Sequence, residues 1–172
     1  AMRSHGAQVQ LVEGLYDAAR VQAEQEGARS GVRLVRHAGR EAIASYGSLG
    51  LELVEDLRQL GVTELAQVAV IVPVGEGGLA AGVLASLKQL NPAITVVGVA
   101  SDRTRQMEAS LTAGRPVTVP LVPHVEEDGI KTGAASPLAV AVFRDLADGF
   151  VVVPHELIEQ GIREQYAFGG IV

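Results

Sequence analysis

The residues with the clearest chemical potential lie between Val72 and Gly82, where the chain reads Val-Pro-Val-Gly-Glu-Gly-Gly-Leu-Ala-Ala-Gly. A β-branched run ends here and helix-forming residues begin, so Gly75, Glu76, Gly77 and Gly78 form a turn between a strand and a helix, with Leu79 opening the helix. Glycines let a backbone approach an anion closely and aim several N–H groups at it. The positive end of the helix dipole adds to the attraction. A phosphate is the natural guest, in a crevice at the carboxyl end of a parallel strand. No Gly-Lys-Ser/Thr follows, so this is not a Walker loop, and the spacing does not match a dinucleotide fingerprint. A tight turn that binds nothing satisfies the same residues, and both readings are open at this point.

Other groups able to do chemistry are scattered. The chain has two lysines. Lys88 sits in a Leu-Lys-Gln context on the helix after the turn and reads as a surface charge, whereas Lys131 lies two residues beyond Gly129 in an irregular stretch. A catalytic lysine needs a pKa depressed by burial or neighbours, so a solvated loop lysine is the commoner meaning of Lys131. His5, His37, His124 and His155 form no constellation and have no ligand partner at helical spacing. The run Glu126-Glu127-Asp128 reads as a solvated acidic loop. With no cysteine in the chain, disulfides and thiolate metal sites are excluded.

The elements that must position the turn alternate along the chain. Strands are expected at 7–12 and 31–35, where short apolar patterns occur, and helices at 15–26, closed by Gly27, and at 41–60. Residues 68–74 are a continuous β-branched run, the pattern of a strand buried on both faces. A helix at 79–90, a strand at 93–99 and a helix at 103–113 follow. Residues 116–131 read as a long loop, followed by a helix at 137–145, a strand at 150–153 and a helix at 156–166. This order predicts a three-layer α/β/α sandwich with a mainly parallel sheet.

Composition supports this. Apolar residues make up 48% of the 172 and aromatics only 3%, so the core must be built from Val, Leu, Ile and Ala. The net charge of −6, with a pI near 5.2, argues against nucleic acid and anionic membranes as partners. No run approaches the roughly 20 apolar residues of a membrane helix. No signal-peptide pattern opens the chain, which makes a cytoplasmic location the default expectation.

Five segments together resemble one family. Pro-Val-Gly-x-Gly-Gly-Leu-x-x-Gly after a Val/Ile strand is similar to the tetraglycine loop of fold-type II pyridoxal phosphate (PLP) enzymes, above all threonine dehydratases and serine racemases. Residues 2–9, Met-Arg-Ser-His-Gly-Ala-Gln-Val, resemble the stretch that opens the last part of the family's small domain. Ile43-Ala44-Ser45-Tyr46-Gly47-Ser48 with Leu51-Glu52-Leu53 resembles the Ile-Ala-Gly-Gln-Gly-Thr…Leu-Glu segment. Asp128-Gly129-Ile130 resembles the Ala-Asp-Gly-Ile/Val element that lies along the cofactor ring. Phe150-Val151-Val152-Val153-Pro154-His155-Glu156 resembles the late Val-Ser/Thr-Asp/Glu-Glu-Glu strand and helix entry. The order is the family's, and the matches span nearly the whole chain.

The resemblance implies a partial tryptophan synthase β-like fold, with residues 1–40 the remainder of the small domain and 41–172 the large PLP-binding domain, truncated at its C-terminal end. It implies PLP as cofactor, with Gly75, Glu76, Gly77, Gly78, Leu79 and Gly129 as cofactor-binding residues. The family's lysine, in Ser-x-Lys-x-Arg-Gly, binds PLP covalently, and a Ser-x-Gly-Asn-His segment clamps the substrate carboxylate. Neither segment occurs here, so no catalytic residue is assigned and the chain reads as the middle-to-late part of a longer protein. Three departures stand out. Glu76 replaces a family glycine, Ser45-Tyr46-Gly47-Ser48 replaces Gly-Gln-Gly-Thr, and Ala100 stands where metal-binding members carry their first acid. No metal site is therefore expected. His37 lies in a loop that passes near the cofactor in the family.

The expected function is that of a PLP-dependent threonine/serine ammonia-lyase, releasing a 2-oxo acid and ammonia from a hydroxy-amino acid, with this chain inactive by itself. The alternatives are a non-catalytic fold remnant or anion-binding domain, or a chain completed by a second polypeptide carrying the lysine segment. A homodimer is the expected assembly.

Overall fold

The computed structural model describes residues 1–122 and 127–169. These residues form two compact units, Ala1–Val35 and Arg36–Val172. In the first, helix α1 (Tyr16–Ser30) is the main element. It runs through Gly27 and ends at Gly31, whose φ of +68° provides the left-handed cap. The strands expected at 7–12 and 31–35 do not form. Among the described residues neither stretch joins a sheet, and an alternating pattern without a ladder partner remains irregular chain.

The second unit has the alternating order the sequence predicts: α2 (Arg40–Gln59), β1 (Ala69–Pro73), α3 (Gly78–Leu90), β2 (Thr95–Ser101), α4 (Gln106–Ala113), α5 (Pro137–Leu146), β3 (Gly149–Val153) and α6 (His155–Gly169). The three strands are parallel in the order β1-β2-β3, with Pro73 opposite Val99 and Ser101 opposite Val153. Their carboxyl ends therefore line up along one edge of the sheet. Residues 123–126, including His124 and Glu126 of the acidic run, lie outside the described residues, as do Gly170, Ile171 and Val172.

Side chains alternate across a strand, and one set faces the core. Val72, Val74 and Val96 join Ala80, Ala81 and Leu84 of α3 and Ala139, Val140 and Phe143 of α5 in one apolar cluster. Gly98 belongs to the same face, because a Cβ there would meet the ring of Phe143 at 2.6 Å. The opposite face is open: Ile71 is 69% exposed and Val151 46%. The expectation that β1 is buried on both faces is thus corrected. Right-handed crossovers that always step to the next strand put α3 and α5 on the same side.

α2 packs closely along α3 because glycines meet at the crossing. A Cβ on Gly82 would lie 2.3 Å from the Ile43 carbonyl oxygen. At the far end of α3, Lys88 Nζ donates to Asp148 Oδ2 at 2.6 Å and to the carbonyls of Ile94 at 2.7 Å and Pro92 at 3.1 Å. Its side chain is only 11% exposed. Lys88 is not the surface charge its neighbours suggest. It fastens the C-terminus of α3 to the starts of β2 and β3.

Candidate functional site

The glycine turn leaves the carboxyl end of β1 with Val74 N–H still bonded to Val99 O at 2.8 Å. Gly77 then takes φ +98°, a conformation L side chains rarely adopt, and α3 starts at Gly78. The first N–H groups of a helix have no intrahelical acceptor. Ala81 N–H is bonded to Gly77 O at 2.9 Å, so those of Gly78, Leu79 and Ala80 precede the ladder. The turn is wedged on three sides. A Cβ on Gly75 would lie 2.9 Å from Ile130 Cα, one on Gly77 2.5 Å from Met107 Cε and 2.7 Å from Ala139 Cβ, and one on Gly78 2.4 Å from His37 O. Ser136, the residue before α5, ties these walls together. Its N–H donates to Glu76 O at 2.9 Å and its hydroxyl to Ala38 O at 3.0 Å.

Glu76 places its carboxylate against His37, with Nε2 and Oε2 2.8 Å apart. The one acidic side chain of the turn is thereby drawn to an imidazole instead of standing alone at the helix terminus. His37 is thus brought to the site, although nothing in its local sequence says so.

The Asp128–Ile130 turn lies over Gly75, which brings the two sequence-predicted cofactor segments together. Gly129 itself is exposed, and a Cβ there would meet nothing within 4 Å. Beside it a cavity of about 310 Å³ opens at the strand ends, with Pro73, Val99, Val153 and Ile158 as apolar walls and Glu127 the one charged lining group among the described residues. Gln106 holds this segment from α4, its amide donating to Thr132 Oγ1 at 3.0 Å and to Ile130 O at 3.4 Å.

Glu127 is not a solvated loop acid. Its carboxylate contacts His155 Nδ1 at 2.8 Å, and both side chains are about 95% buried. Burial opposes its ionisation, but the Ser101 hydroxyl, the Glu127 N–H and His155 outweigh that, and the carboxyl lies below the ordinary carboxylate range. His155 also has a partner at helical spacing, with Nε2 3.4 Å from Glu159 Oε1, and its N–H donates to Asp102 Oδ1 at 3.2 Å. The i, i+4 placement of His155 and Glu159 was a readable sign of this cluster, whereas the link to Glu127 crosses the fold. Among the described residues no group of three or more His, Asp or Glu is arranged to hold a metal ion.

For PLP, the phosphate end fits: free helix N–H donors, a backbone stripped of side chains, and the Glu76 charge paired with His37. The aldehyde end has no matched lysine. Lys88 is engaged at the opposite end of α3, and Lys131 follows the Asp128–Ile130 turn, half-buried.

Comparison with known proteins agrees with this geometry. The chain is 34% identical over 161 residues to an L-threonine ammonia-lyase of Thermotoga maritima, a match covering 93% of this chain and 38% of that protein. It is 30% identical over 165 residues to a catabolic L-threonine dehydratase of Staphylococcus aureus, covering 95% and 45%. Among solved structures, the processed form of threonine deaminase isoform 2 from Solanum lycopersicum superposes with a TM-score of 0.85 at 28% identity, covering 99% of this chain and 48% of that one. Maize serine racemase, at 23% identity and a TM-score of 0.80, shares the fold. The chain spans about half the length of the curated relatives it matches. The family model for pyridoxal-phosphate dependent enzymes matches residues 1–172 throughout, and the chain belongs to that family.

Proposed function

We propose that these residues supply the cofactor-phosphate half of a PLP-dependent ammonia-lyase acting on hydroxy-amino acids such as threonine and serine. The observation that carries the reading is the glycine turn at the head of α3, roofed by the Asp128–Ile130 turn at the carboxyl edge of a parallel sheet. Gly75, Gly77, Gly78 and Leu79 hold the phosphate through backbone N–H groups, Glu76 contributes its N–H while its carboxylate is held by His37, and Gly129 presents bare backbone to the ring. When bound, PLP supplies the electron sink for the chemistry, and the protein supplies binding and orientation. Residues 1–40 correspond to the remainder of a small domain and 41–172 to the large cofactor domain. The intact protein is a cytoplasmic homodimer. Apolar side chains left open on the sheet, Ile71 and Val151, favour self-association, and sedimentation at increasing concentration tests it.

By themselves the 172 residues do not turn over threonine, because neither lysine occupies a position matched to the family's. An absorbance spectrum of the purified chain with added PLP, followed by borohydride reduction and peptide mapping, tests the reading. A perturbed spectrum that inorganic phosphate reverses, with no lysine trapped, is the expected result. A covalent adduct on Lys131 would reveal a substitute lysine, and turnover of threonine would overturn the proposed inactivity. A spectrum identical to free PLP would favour the second reading, a non-catalytic anion-binding or remnant domain. The Glu76–His37 pair gives that reading its support, since the turn already contains an anion.

A further inference from the structure

We propose that Glu127 and His155 form a buried strap that fixes the Asp128–Ile130 turn, and with it the Gly129 backbone, over the glycine turn. His155 is a positioning residue, acting on the ring-facing backbone through Glu127. The role of the strap in cofactor binding rests on the reading of Gly129 given above. The strap itself does not.

The described part of the connection between α4 and α5 is held by few bonds. The Thr118–Ala134 bridge, with Val119 N–H donating to Gly133 O at 2.8 Å, ties its two ends. Loops of this length cost entropy to order, and preorganised backbone binds a ligand more tightly than backbone that must be arrested on binding. Besides the Ser101 hydroxyl, two side chains from the first residues of α4 and α6 reach the stretch that covers Gly75. One is Gln106, through Ile130 O and Thr132. The other is His155, which follows β3 and meets Glu127, the residue on which the Asp128–Ile130 turn begins. Glu127 O accepts the N–H of Ile130 at 3.0 Å, so the residue gripped by His155 is itself the first hinge of the turn.

His155 is in turn held from its own side. Its N–H is bonded to Asp102 Oδ1, and Glu159 lies 3.4 Å from Nε2. Among the described residues, Asp102 just after β2 and Glu159 of α6 are charged groups that face the pair, and the Ser101 hydroxyl also acts on Glu127. Burying a carboxylate and an imidazole side by side is costly unless both are paired.

The test is amide hydrogen exchange on the 172-residue chain. Glu127→Ala breaks the strap from the loop side, and His155→Asn breaks it independently from the start of α6. Each should speed exchange of the Ile130 and Lys131 amides about tenfold, the scale expected when a hydrogen bond to a charged group is lost. The β1 and β2 amides should change far less, and Glu127→Gln, which can still accept from His155, should restore protection. No change at Ile130 and Lys131 would overturn the strap, as would an equal rise through the sheet. PLP titration of the same variants then separates the two layers of the argument. If the parent chain binds PLP, Glu127→Ala should weaken binding and Glu127→Gln recover it. Unchanged affinity despite faster local exchange would overturn the positioning role. If the parent chain binds no PLP, the reading of Gly129 fails and the positioning role with it, while exchange still decides the strap.

Discussion

Alanine at Gly77, Gly78 and Gly129 should produce three different outcomes, because each glycine is there for a different reason. At Gly77 the φ of +98° and two close walls act together. The left-handed conformation costs an L residue about 1–2 kcal/mol and overpacking about 1–3, so Gly77→Ala should lose about 2–5 kcal/mol. At Gly78 the backbone is ordinary, but the new Cβ lies 2.4 Å from His37 O and that oxygen must retreat by about 1 Å to reach ordinary contact. Overpacking of about 1–3 kcal/mol is partly offset by the better helix propensity of alanine, worth up to about 1, leaving a loss of about 1–2. At Gly129 there is no positive φ and nothing within 4 Å, so alanine should be neutral or stabilise by about 0.4–1 kcal/mol through the unfolded chain. Urea unfolding followed by circular dichroism gives each value from the midpoint at constant slope. Gly129→Ala should nevertheless weaken PLP binding, since its methyl group enters the space assigned to the ring. A Gly129→Ala loss as large as that of Gly77→Ala, or a Gly77→Ala loss below about 0.5 kcal/mol, would refute the packing argument.

Further outcomes follow from the charged groups. Glu76→Gln removes the one negative charge of the turn and should tighten binding of PLP and inorganic phosphate by about 1–2 kcal/mol, about five- to thirtyfold in Kd, measured by titration at fixed ionic strength. An unchanged Kd would mean that the carboxylate does not face the anion. Lys88→Met keeps the apolar stem but removes the ammonium donor from two carbonyls and from Asp148, which retains the Val96 N–H, and should cost about 1–3 kcal/mol in urea unfolding. Asp148 is held below the usual carboxylate range by Lys88 and by the Val96 N–H. A lowered folded-state pKa contributes stability that is present above the unfolded value and lost as pH falls through the folded one. The stability gap between the parent chain and Asp148→Asn should therefore be full at pH 7 and shrink only below about pH 4. A gap that instead closes between pH 6 and 8 would assign it to another group.

The sequence made the parallel α/β unit readable because each of its signals is local. β-branched runs form β1, β2 and β3, and helix formers follow the glycine turn within a few residues. What it hid was the presence or absence of partners. Residues 7–12 alternate as a half-buried strand does, yet no ladder forms among the described residues. Residues 68–74 carry the composition of a strand covered on both faces, yet among the described residues Ile71 on the second face is exposed. Gly27 and Gly31 are equally good helix stops by type, and only the backbone shows that α1 tolerates the first and ends at the second. Lys88 sits in a polar-looking context, but its partner Asp148 is sixty residues away in sequence. Glu127 belongs to an acidic run and is buried all the same, because its counter-group comes from the end of another strand.

Within the site, packing separates residues that the fold requires from residues that a ligand would require. Gly75, Gly77 and Gly78 are each explained by a wall that a Cβ would strike, so their presence alone does not argue for an anion. A tight turn with nothing bound would need the same three. Gly129 has no such explanation. It is exposed, adopts no left-handed conformation and faces empty space, and a glycine in such a place only adds entropy to the unfolded chain. Two residues before it along the chain lies Glu127, a buried carboxylate whose Oε1 has no hydrogen-bond partner among the described residues and which is met by the Ser101 hydroxyl and by His155 at the start of α6. An unnecessary glycine and a costly buried pair on the same short segment are hard to explain by stability, because each lowers it or leaves it unimproved. They are explained together if that segment must present bare backbone at a fixed height above the glycine turn. The glycine turn therefore carries the functional reading only together with the roof that Glu127 and Gly129 set over it.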